Sequence, residues 1–362
     1  MLIGEIAGGV ISLQAPSRRN SPSVLGLRED GWVSLIDVAR SDSRVRWAWT
    51  GLSGHPPAAA AGWLTTEVPV VLTAEGSVVT LNRSKCRRDG LAVLGEEGCG
   101  RRSAPAPESL GMVTRQQCQA GGPPFVVTVD DVGAYWWSAS QDLQPIFDSF
   151  RAWPNSEQLV RGPGVVLPWV NAKGFVKLVT LGSDTVVFLV TCDAQNPVLS
   201  VTRVGAVTTD GVSEYKALGG LPTPGGVGTD FCLACPDRVL LVRLRPGRPV
   251  ETVVVVRSEP GRVVTSVDLR NGLGLLSTAG RGGGTAELFD PTSGRRLWQF
   301  DLDLGVSDVT LVVERERTCA LAVDTDGGVH LWTINRGEGR QGSTPLSGPV
   351  PTSTAQRGLE LG

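Results

Sequence analysis

Short runs in which apolar and polar residues alternate recur along the whole chain, and glycine and proline fall mostly between these runs. Alternation with a period of two predicts β-strands, and glycine or proline at the ends of a run predicts turns. One run of this kind returns about every fifty residues, a spacing that is typical of repeated structural units. Its seven copies begin at residues 32, 77, 134, 186, 239, 286 and 329.

The clearest repeat unit covers residues 263–302. It predicts four strands, at residues 263–269, 273–278, 285–290 and 296–300. The unit that follows predicts only three strands, at residues 309–314, 318–323 and 328–334. A further short strand is predicted at residues 2–6, and we expect it to pair with residues 329–334, because this pairing would cover the open edge of the last sheet.

Units of four short strands with this spacing predict an all-β fold, a seven-bladed β-propeller of four-stranded antiparallel blades. Six blades are the alternative, if residues 123–170 do not form a complete blade. The prediction places one propeller domain over residues 1–335, with a long Arg-rich loop at about residues 83–122. Residues 336–362 are rich in Gly, Ser, Thr and Pro, and we expect them to form a flexible tail.

Composition narrows the classes of function. The 362 residues carry a formal net charge of −2, which gives no whole-molecule reason to bind nucleic acid or an anionic membrane. The N-terminus lacks the basic start of a secretory signal, and no apolar run is long enough to span a bilayer. The seven cysteines are odd in number and irregular in spacing, as expected of reduced thiols inside a cell. We therefore expect a cytoplasmic or nuclear location.

Arginine and tryptophan provide the candidate binding residues. The predicted loop carries local positive charge, and exposed aromatic residues near arginine commonly anchor protein interfaces. The candidate partner-binding residues are Arg87, Arg88, Arg101, Arg102, Trp49 and Trp136. Tryptophans inside predicted strands, such as Trp32, Trp298 and Trp332, are expected to pack between blades instead.

Three segments resemble WD-repeat propellers, a resemblance that covers residues 10–335. Leu288-Phe289-Asp290 and Leu331-Trp332-Thr333 stand where that family often has an aliphatic residue followed by Trp-Asp, and the run from Trp32 to Asp37 is a looser match. The family's Gly-His dipeptide is missing, since Gly54-His55 precedes a proline and the other histidine, His330, lies inside a strand. The resemblance implies a propeller in which the family's His-Asp-Ser/Thr-Trp hydrogen-bond tetrad cannot form in most blades.

A second resemblance is to the pyrroloquinoline-quinone-like propeller repeats. In that family a strand is followed by an Asp-x-x-x-Gly turn and a strand that contains tryptophan. The turn from Asp290 to Gly294, followed by Trp298, is similar to this pattern. This second family also implies a propeller.

Catalytic and metal-binding patterns are weak. Cys232 and Cys235 form the one Cys-x-x-Cys motif, and no second motif supplies the remaining ligands of a zinc site. Both thiols are therefore expected to be buried in a strand. With two histidines in the chain, no nucleophile, base and orienting residue can be nominated together.

The sequence thus predicts a protein-interaction scaffold without catalytic activity, a WD-repeat-like subunit of a multiprotein complex. It predicts other proteins as partners, and no cofactor, no metal and no membrane span. One alternative is an RNA-associated propeller that uses the Arg-rich loop and binds with a steep dependence on salt. The other alternative, which is less favoured, is a propeller enzyme with a bound quinone-type cofactor.

Deleting residues 1–7 tests the predicted completion of the last sheet. We expect a marked fall in melting temperature, because the deletion would expose the edge of that sheet. Circular dichroism during heating measures it, and a melting curve that matches the full chain would contradict the pairing.

Overall fold

The computed structural model of the chain describes residues in separate ranges. These ranges are 9–15, 23–38, 44–49, 57–64, 68–88, 91–100, 111–115, 125–129, 134–138, 145–148, 164–166, 175–181, 186–193, 199–207, 216–222, 229–245, 247–270, 272–313 and 317–335. The segments predicted at residues 2–6 and 336–362 lie outside them.

The described residues form 27 strands and no helix. The first sixteen are β1 (Val10–Gln14), β2 (Ser23–Arg28), β3 (Val33–Asp37), β4 (Arg44–Trp49), β5 (Ala58–Trp63), β6 (Pro69–Thr73), β7 (Val78–Arg88), β8 (Leu91–Gly100), β9 (Gly111–Arg115), β10 (Phe125–Val129), β11 (Ala134–Ser138), β12 (Pro145–Asp148), β13 (Gly164–Val166), β14 (Phe175–Leu181), β15 (Val186–Asp193) and β16 (Leu199–Ala206). The others are β17 (Lys216–Pro222), β18 (Thr229–Cys235), β19 (Arg238–Leu244), β20 (Glu251–Arg257), β21 (Arg262–Arg270), β22 (Leu273–Gly280), β23 (Gly283–Phe289), β24 (Arg296–Leu302), β25 (Val306–Val313), β26 (Arg317–Asp324) and β27 (Val329–Asn335).

Consecutive strands pair antiparallel in groups, which we number as units 1 to 7. Units 1 to 6 are β1–β4, β5–β8, β9–β12, β13–β16, β17–β20 and β21–β24, and unit 7 is β25–β27. The seven copies of the repeated run all lie at the third strand of a unit, namely β3, β7, β11, β15, β19, β23 and β27. The repeat read from the sequence therefore marks the same structural position in every unit.

The units are arranged in a closed ring. The first strand of each unit contacts the first strand of the next, in the cyclic order β1, β5, β9, β13, β17, β21, β25 and back to β1. These innermost strands surround the axis, as in a β-propeller. The count of seven blades, with six as the alternative, stays a prediction, because β4 and β8 join units 1 and 2 into one eight-stranded sheet and unit 7 has three described strands.

The apolar core lies between neighbouring units. One cluster joins units 7 and 1 and includes Leu13, Ile36 and Leu321, all at most 3% exposed. Three further clusters join units 1 and 2, units 6 and 7, and units 5 and 6 in the same way. Because both faces of a sheet are covered by its neighbours, a strand such as β2 is buried at five successive positions.

Three units share one turn between their second and third strands. In unit 1 the amide of Arg28 donates to the carbonyl of Trp32, and the amide of Gly31 donates to the carbonyl of Arg28. The same two bonds join Thr73 with Ser77 and Gly76 in unit 2. They also join Asp324 with Gly328 and Gly327 in unit 7. The three turn glycines have φ between 79° and 81°, which disfavours any residue with a side chain.

Two of these turns also connect their unit to the next. The amide of Ala58, the first residue of β5, donates to the carbonyl of Gly31 at 3.1 Å. The amide of Val10, the first residue of β1, donates to the carbonyl of Gly327 at 3.4 Å and so closes the ring. A Cβ on Gly327 would lie 2.0 Å from the Cα of Gly9, so only glycine allows this approach.

Buried carboxylates strengthen the connection at both sides of unit 7. Asp308 accepts hydrogen bonds from the amide of Leu13 in unit 1 at 2.8 Å and from the hydroxyl of Ser266 in unit 6 at 2.6 Å. Asp268 in unit 6 accepts from the amide of Leu311 in unit 7 at 2.9 Å. Polar bonds therefore join the units in addition to the apolar clusters.

All described residues within the predicted loop at residues 83–122 lie in strands. Residues 83–88 belong to β7, Leu91–Gly100 forms β8 and Gly111–Arg115 forms β9. The strands β7 and β8 pair from Cys86 opposite Val93 to Arg88 opposite Leu91. Backbone pairing of this kind does not require regular alternation of apolar residues, so the sequence pattern did not indicate it.

Replacing Gly327 with Ala tests the closure of the ring. The matched control is Gly261→Ala, since both glycines have φ of 81° but a Cβ on Gly261 would meet nothing within 4 Å. The control should lose about 1 kcal/mol from backbone strain alone. We expect Gly327→Ala to lose about 1–3 kcal/mol more, measured by urea unfolding, because its Cβ meets backbone. Equal losses would contradict the close approach.

Asp290 provides a test by pH. A hydrogen bond from the hydroxyl of Ser293, joined by one from the amide of Thr292, holds the pKa of this carboxyl below its ordinary value. The carboxylate therefore stabilises the fold above its ordinary pKa, and this contribution is lost as the pH falls through the lowered value. In urea unfolding, Asp290→Asn should destabilise the chain at neutral pH by less than about 1 kcal/mol, because the turn is exposed, and by less still at about pH 3. A deficit that grows with acid would contradict this assignment.

Candidate functional site

The predicted binding residues are spread over several strands. Arg87 and Arg88 lie at the end of β7, and Trp49 is the last residue of β4. Trp136 lies in β11 of another sheet. Arg101 and Arg102 lie outside the described residues. The structure therefore gives the strand positions of four of the six predicted residues and leaves the prediction of a binding site untested.

The backbone brings two of these strands close together. Arg87 is opposite Ala92 in β8, and Ala92 is opposite Trp47 in β4. The strand that ends in Trp49 and the strand that ends in Arg88 thus flank the same neighbour, β8. Trp136 pairs with Val127 in unit 3 and does not share this sheet. The role of these residues in partner binding stays a prediction.

Three other tryptophans were expected to pack between blades. Trp298 and Trp332 are partly buried against the cluster that joins units 6 and 7, and Trp332 stacks on Phe300 with ring centroids 4.4 Å apart. The expectation was wrong for Trp32, which is 40% exposed. Trp32 lies in the turn, directly after Gly31 and one residue before β3. It is therefore outside the strand, whose residues 33–36 are buried.

Trp32 is held in place by its own turn. Its amide donates to a carboxylate oxygen of Asp30 at 3.1 Å, and its carbonyl accepts from the amide of Arg28 at 2.9 Å. The guanidinium carbon of Arg28 lies 4.9 Å from the centre of the indole ring, within cation–π range. Arg28 also forms an ion pair of 2.7 Å with Asp30. The backbone of Trp32 is thus held by Asp30 and Arg28, and its exposed ring is contacted by the Arg28 guanidinium.

Three of the four other exposed large hydrophobic residues lie at the same end of the ring as Trp32. We call the end at which the innermost strands begin the upper face; it also carries the turns between second and third strands. Five large hydrophobic side chains of the described residues are exposed, namely Ile11 (49%), Val263 (48%), Trp32 (40%), Leu304 (38%) and Val254 (38%). All but Val254 belong to the upper face, where Ile11 and Val263 are second residues of innermost strands and Leu304 precedes β25.

These four residues, Ile11, Trp32, Val263 and Leu304, form what we call the apolar set. Hydrogen bonds join the three units at this face. The hydroxyl of Thr265 in unit 6 donates to the carbonyl of Val306 in unit 7 at 2.6 Å. The amide of Val10 in unit 1 donates to the carbonyl of Gly327 in unit 7 at 3.4 Å. The apolar set therefore lies on consecutive units 6, 7 and 1 that are directly bonded to one another.

Exposed carboxylates border the apolar set in units 7, 1 and 2. They are Glu29, Asp30, Glu75, Asp303 and Asp326. In these three units Arg28 is the one cationic side chain that the described residues place at the upper face, and it is paired with Asp30. Unit 6 adds Arg262, which forms an ion pair of 3.6 Å with Glu259, and Arg281, which lies in the turn between β22 and β23. The carboxylates still outnumber these cations. This sector is therefore negatively charged.

The buried acids of the ring serve its structure. Both oxygens of Asp308 accept hydrogen bonds from neighbouring units, and Asp268 accepts three bonds through one oxygen, from Thr310, Leu311 and Arg270. Glu287 is 2% exposed and accepts from the hydroxyl of Thr285. Each of these acids accepts hydrogen bonds from protein groups, and Glu287 also forms an ion pair of 2.8 Å with Arg296.

Unit 7 contains part of the residue set expected of WD repeats. His330 and Asp324 are joined by a hydrogen bond of 2.7 Å, and the rings of His330 and Trp332 are 6.0 Å apart. The other oxygen of Asp324 accepts from the amides of Asp326 and Gly328. Asp324 thus caps its turn, and the histidine reaches it from β27 rather than from a Gly-His dipeptide.

The cysteines behave as predicted. Cys232 and Cys235 lie in β18, both are buried, and burial raises the pKa of the Cys232 thiol far above its ordinary value. A thiol with a raised pKa is a poor nucleophile and a poor metal ligand at neutral pH. Within the described ranges, no three His, Cys, Asp or Glu side chains are grouped closely enough to hold a metal ion.

Comparisons with known proteins identify the fold. No protein-family model and no curated protein sequence matches the chain. Among solved structures, it is similar to Saccharomyces cerevisiae Sqt1, with a TM-score of 0.59 and 10% identity over 91% of this chain and 96% of that chain. It is also similar to the β-propeller domain of Myceliophteria thermophila Cps50 (Swd1), with a TM-score of 0.53 and 11% identity over 91% of this chain and 98% of that domain.

Similarity at these identities concerns the fold alone. The fold is that of a divergent WD-repeat-like β-propeller, which confirms the predicted all-β propeller but not its number of blades. The resemblance to the quinone-type repeats stays a prediction. The described part of the chain contains no helix that is long and apolar enough to cross a bilayer.

Proposed function

We propose that the chain is a non-catalytic platform for protein binding, a subunit of a multiprotein complex that engages its partner through the upper face. The observation that carries this proposal is the grouping of four of the five exposed large hydrophobic residues on the upper face of units 6, 7 and 1. Apolar side chains grouped on an otherwise polar surface are typical of interaction sites. WD-repeat-like propellers serve widely as rigid interaction platforms, which supports the same role here.

The turn geometry does not require a tryptophan at position 32, which supports a role for this side chain in binding. The turns of units 1, 2 and 7 make the same backbone bonds, and the residue after the turn glycine is Trp32, Ser77 and Gly328, respectively. The turn thus forms equally well with a small residue at this position. Since the fold does not require an indole here, partner contact explains it better than folding does.

The rigidity of the site supports the proposal as well. The Arg28 guanidinium and the Asp30 carboxylate hold the Trp32 ring and backbone before any partner arrives. A side chain that is already ordered loses little conformational entropy on binding. Tryptophan is also among the residues that most often contribute a large share of the binding free energy at protein interfaces.

Affinity capture of Trp32→Ala tests the proposal. The tagged protein is isolated from its own cells with nuclease treatment, and the proteins that accompany it are quantified by mass spectrometry. We expect the wild type to retain a stoichiometric set of proteins, and Trp32→Ala to retain at least about tenfold less, as expected for a central aromatic contact. The melting temperature should change little, because the side chain is exposed.

The matched control is Val254→Ala, which removes an apolar side chain of similar exposure from β20, an outer strand of unit 5. This variant should retain the full set of proteins. Equal capture by both variants would contradict binding at the upper face. Loss of all accompanying proteins on nuclease treatment would instead favour the RNA-associated alternative.

A further inference from the structure

We infer that the apolar set binds a cationic segment of a partner protein, one that presents apolar side chains between lysines or arginines. This inference rests on the proposed function and adds to it the chemical class of the partner. It follows from the carboxylates that border the apolar set and from the ion pair between Arg28 and Asp30.

The negative charge of the upper face favours a partner segment with positive charge. In units 7, 1 and 2 five exposed carboxylates face solvent, and the ion pair with Asp30 neutralises Arg28. Glu29, Glu75, Asp303 and Asp326 therefore outnumber Arg281, the cationic residue in the neighbouring turn of unit 6, and the net charge there is negative. Like charges at an interface cost several kcal/mol, whereas complementary charges speed association and fix the partner's register. A segment with excess lysine and arginine meets this condition, and an acidic segment does not.

The apolar set supplies affinity that charge alone cannot. Ion pairs between exposed groups contribute at most about 1 kcal/mol each. Burial of Trp32, Ile11 and Leu304 removes apolar surface from water, at about 25 cal/mol for each Å². The indole also attracts a second cation by its ring, as it already attracts Arg28 at 4.9 Å. Apolar and cationic side chains in one segment would therefore both find partners here.

Nucleic acid does not fit this face. A nucleic-acid site requires an excess of positive charge to compensate the phosphates. The described upper face of units 7, 1 and 2 has the opposite sign. An exposed tryptophan could stack on a base, but the surrounding carboxylates would repel the backbone that carries the base.

Synthetic peptides test the inference directly. Three peptides of equal length and equal leucine content carry Lys and Arg, Glu and Asp, or Ser and Gln at their other positions. A fourth carries Lys, Arg and Ser without leucine, and a single-stranded RNA oligonucleotide completes the panel. Fluorescence polarisation with the full-length protein measures each affinity. We expect the cationic leucine peptide to bind at least about tenfold more tightly than any other member, and added salt to weaken it.

Two matched double variants separate the charge of the upper face from total charge. Glu29→Gln with Asp326→Asn removes two carboxylates beside the apolar set, and Glu251→Gln with Asp290→Asn removes two from the opposite end of units 5 and 6. We expect the first double variant to bind the cationic leucine peptide roughly three- to tenfold more weakly and the second to bind it as the wild type does. Trp32→Ala should weaken it as well, with an unchanged melting curve.

Each of the remaining outcomes overturns the inference, and each has a different consequence for the proposed function. If the uncharged or acidic leucine peptide binds as tightly, and still depends on Trp32, the partner class is wrong while the proposed platform stands. If the peptide without leucine binds as tightly, or if the RNA binds at Trp32, the apolar set does not select a cationic protein segment. If no peptide binds, the inference fails, and the capture experiment alone decides the proposed function.

Discussion

The contact between the last and the first unit is the constraint on which the whole structure depends. Each unit buries its faces only against its neighbours, so every apolar cluster described here is shared by two units. The ring is complete only where the turn of Gly327 meets Gly9 and where Asp308 accepts from the amide of Leu13, 295 positions away in sequence. A fault at this one contact would expose two sheet faces to water.

The candidate site uses the same turns that close the ring. A turn whose glycine carbonyl accepts a hydrogen bond from the next unit has little freedom to move. A side chain on that turn is therefore held in a fixed direction. Trp32 follows directly after Gly31, whose carbonyl accepts from Ala58 at the start of β5. The hydrogen bonds that join the units therefore also restrict the position of an exposed side chain on these turns. This relation explains why an interaction platform benefits from a propeller fold.

The sequence predicted the fold better than the site. The repeated run marks the third strand of every unit, because alternation and turn residues are local properties. The strand pairing of residues 83–100 was missed, because it depends on a partner strand rather than on alternation. Trp32 was expected to be packed, although Asp30-Gly31 before it signals a hairpin turn that would have indicated exposure. The bonds of Asp268 and Asp308 join distant units, and no local pattern reveals such partners.

Comparison of equivalent positions separates what the fold requires from what function requires. Innermost strands of units 1, 6 and 7 each carry a β-bulge, whose extra residue is Ile11, Thr265 and Ser307, respectively. Thr265 donates to the carbonyl of Val306 at 2.6 Å, and Ser307 donates to a carbonyl of its own unit at 3.2 Å. The bulge thus accommodates hydroxyl side chains that satisfy the backbone, yet unit 1 places a 49% exposed isoleucine there. An exposed apolar side chain at a position where the fold accepts a polar one supports the proposal that the surface around Ile11 and Trp32 binds a partner.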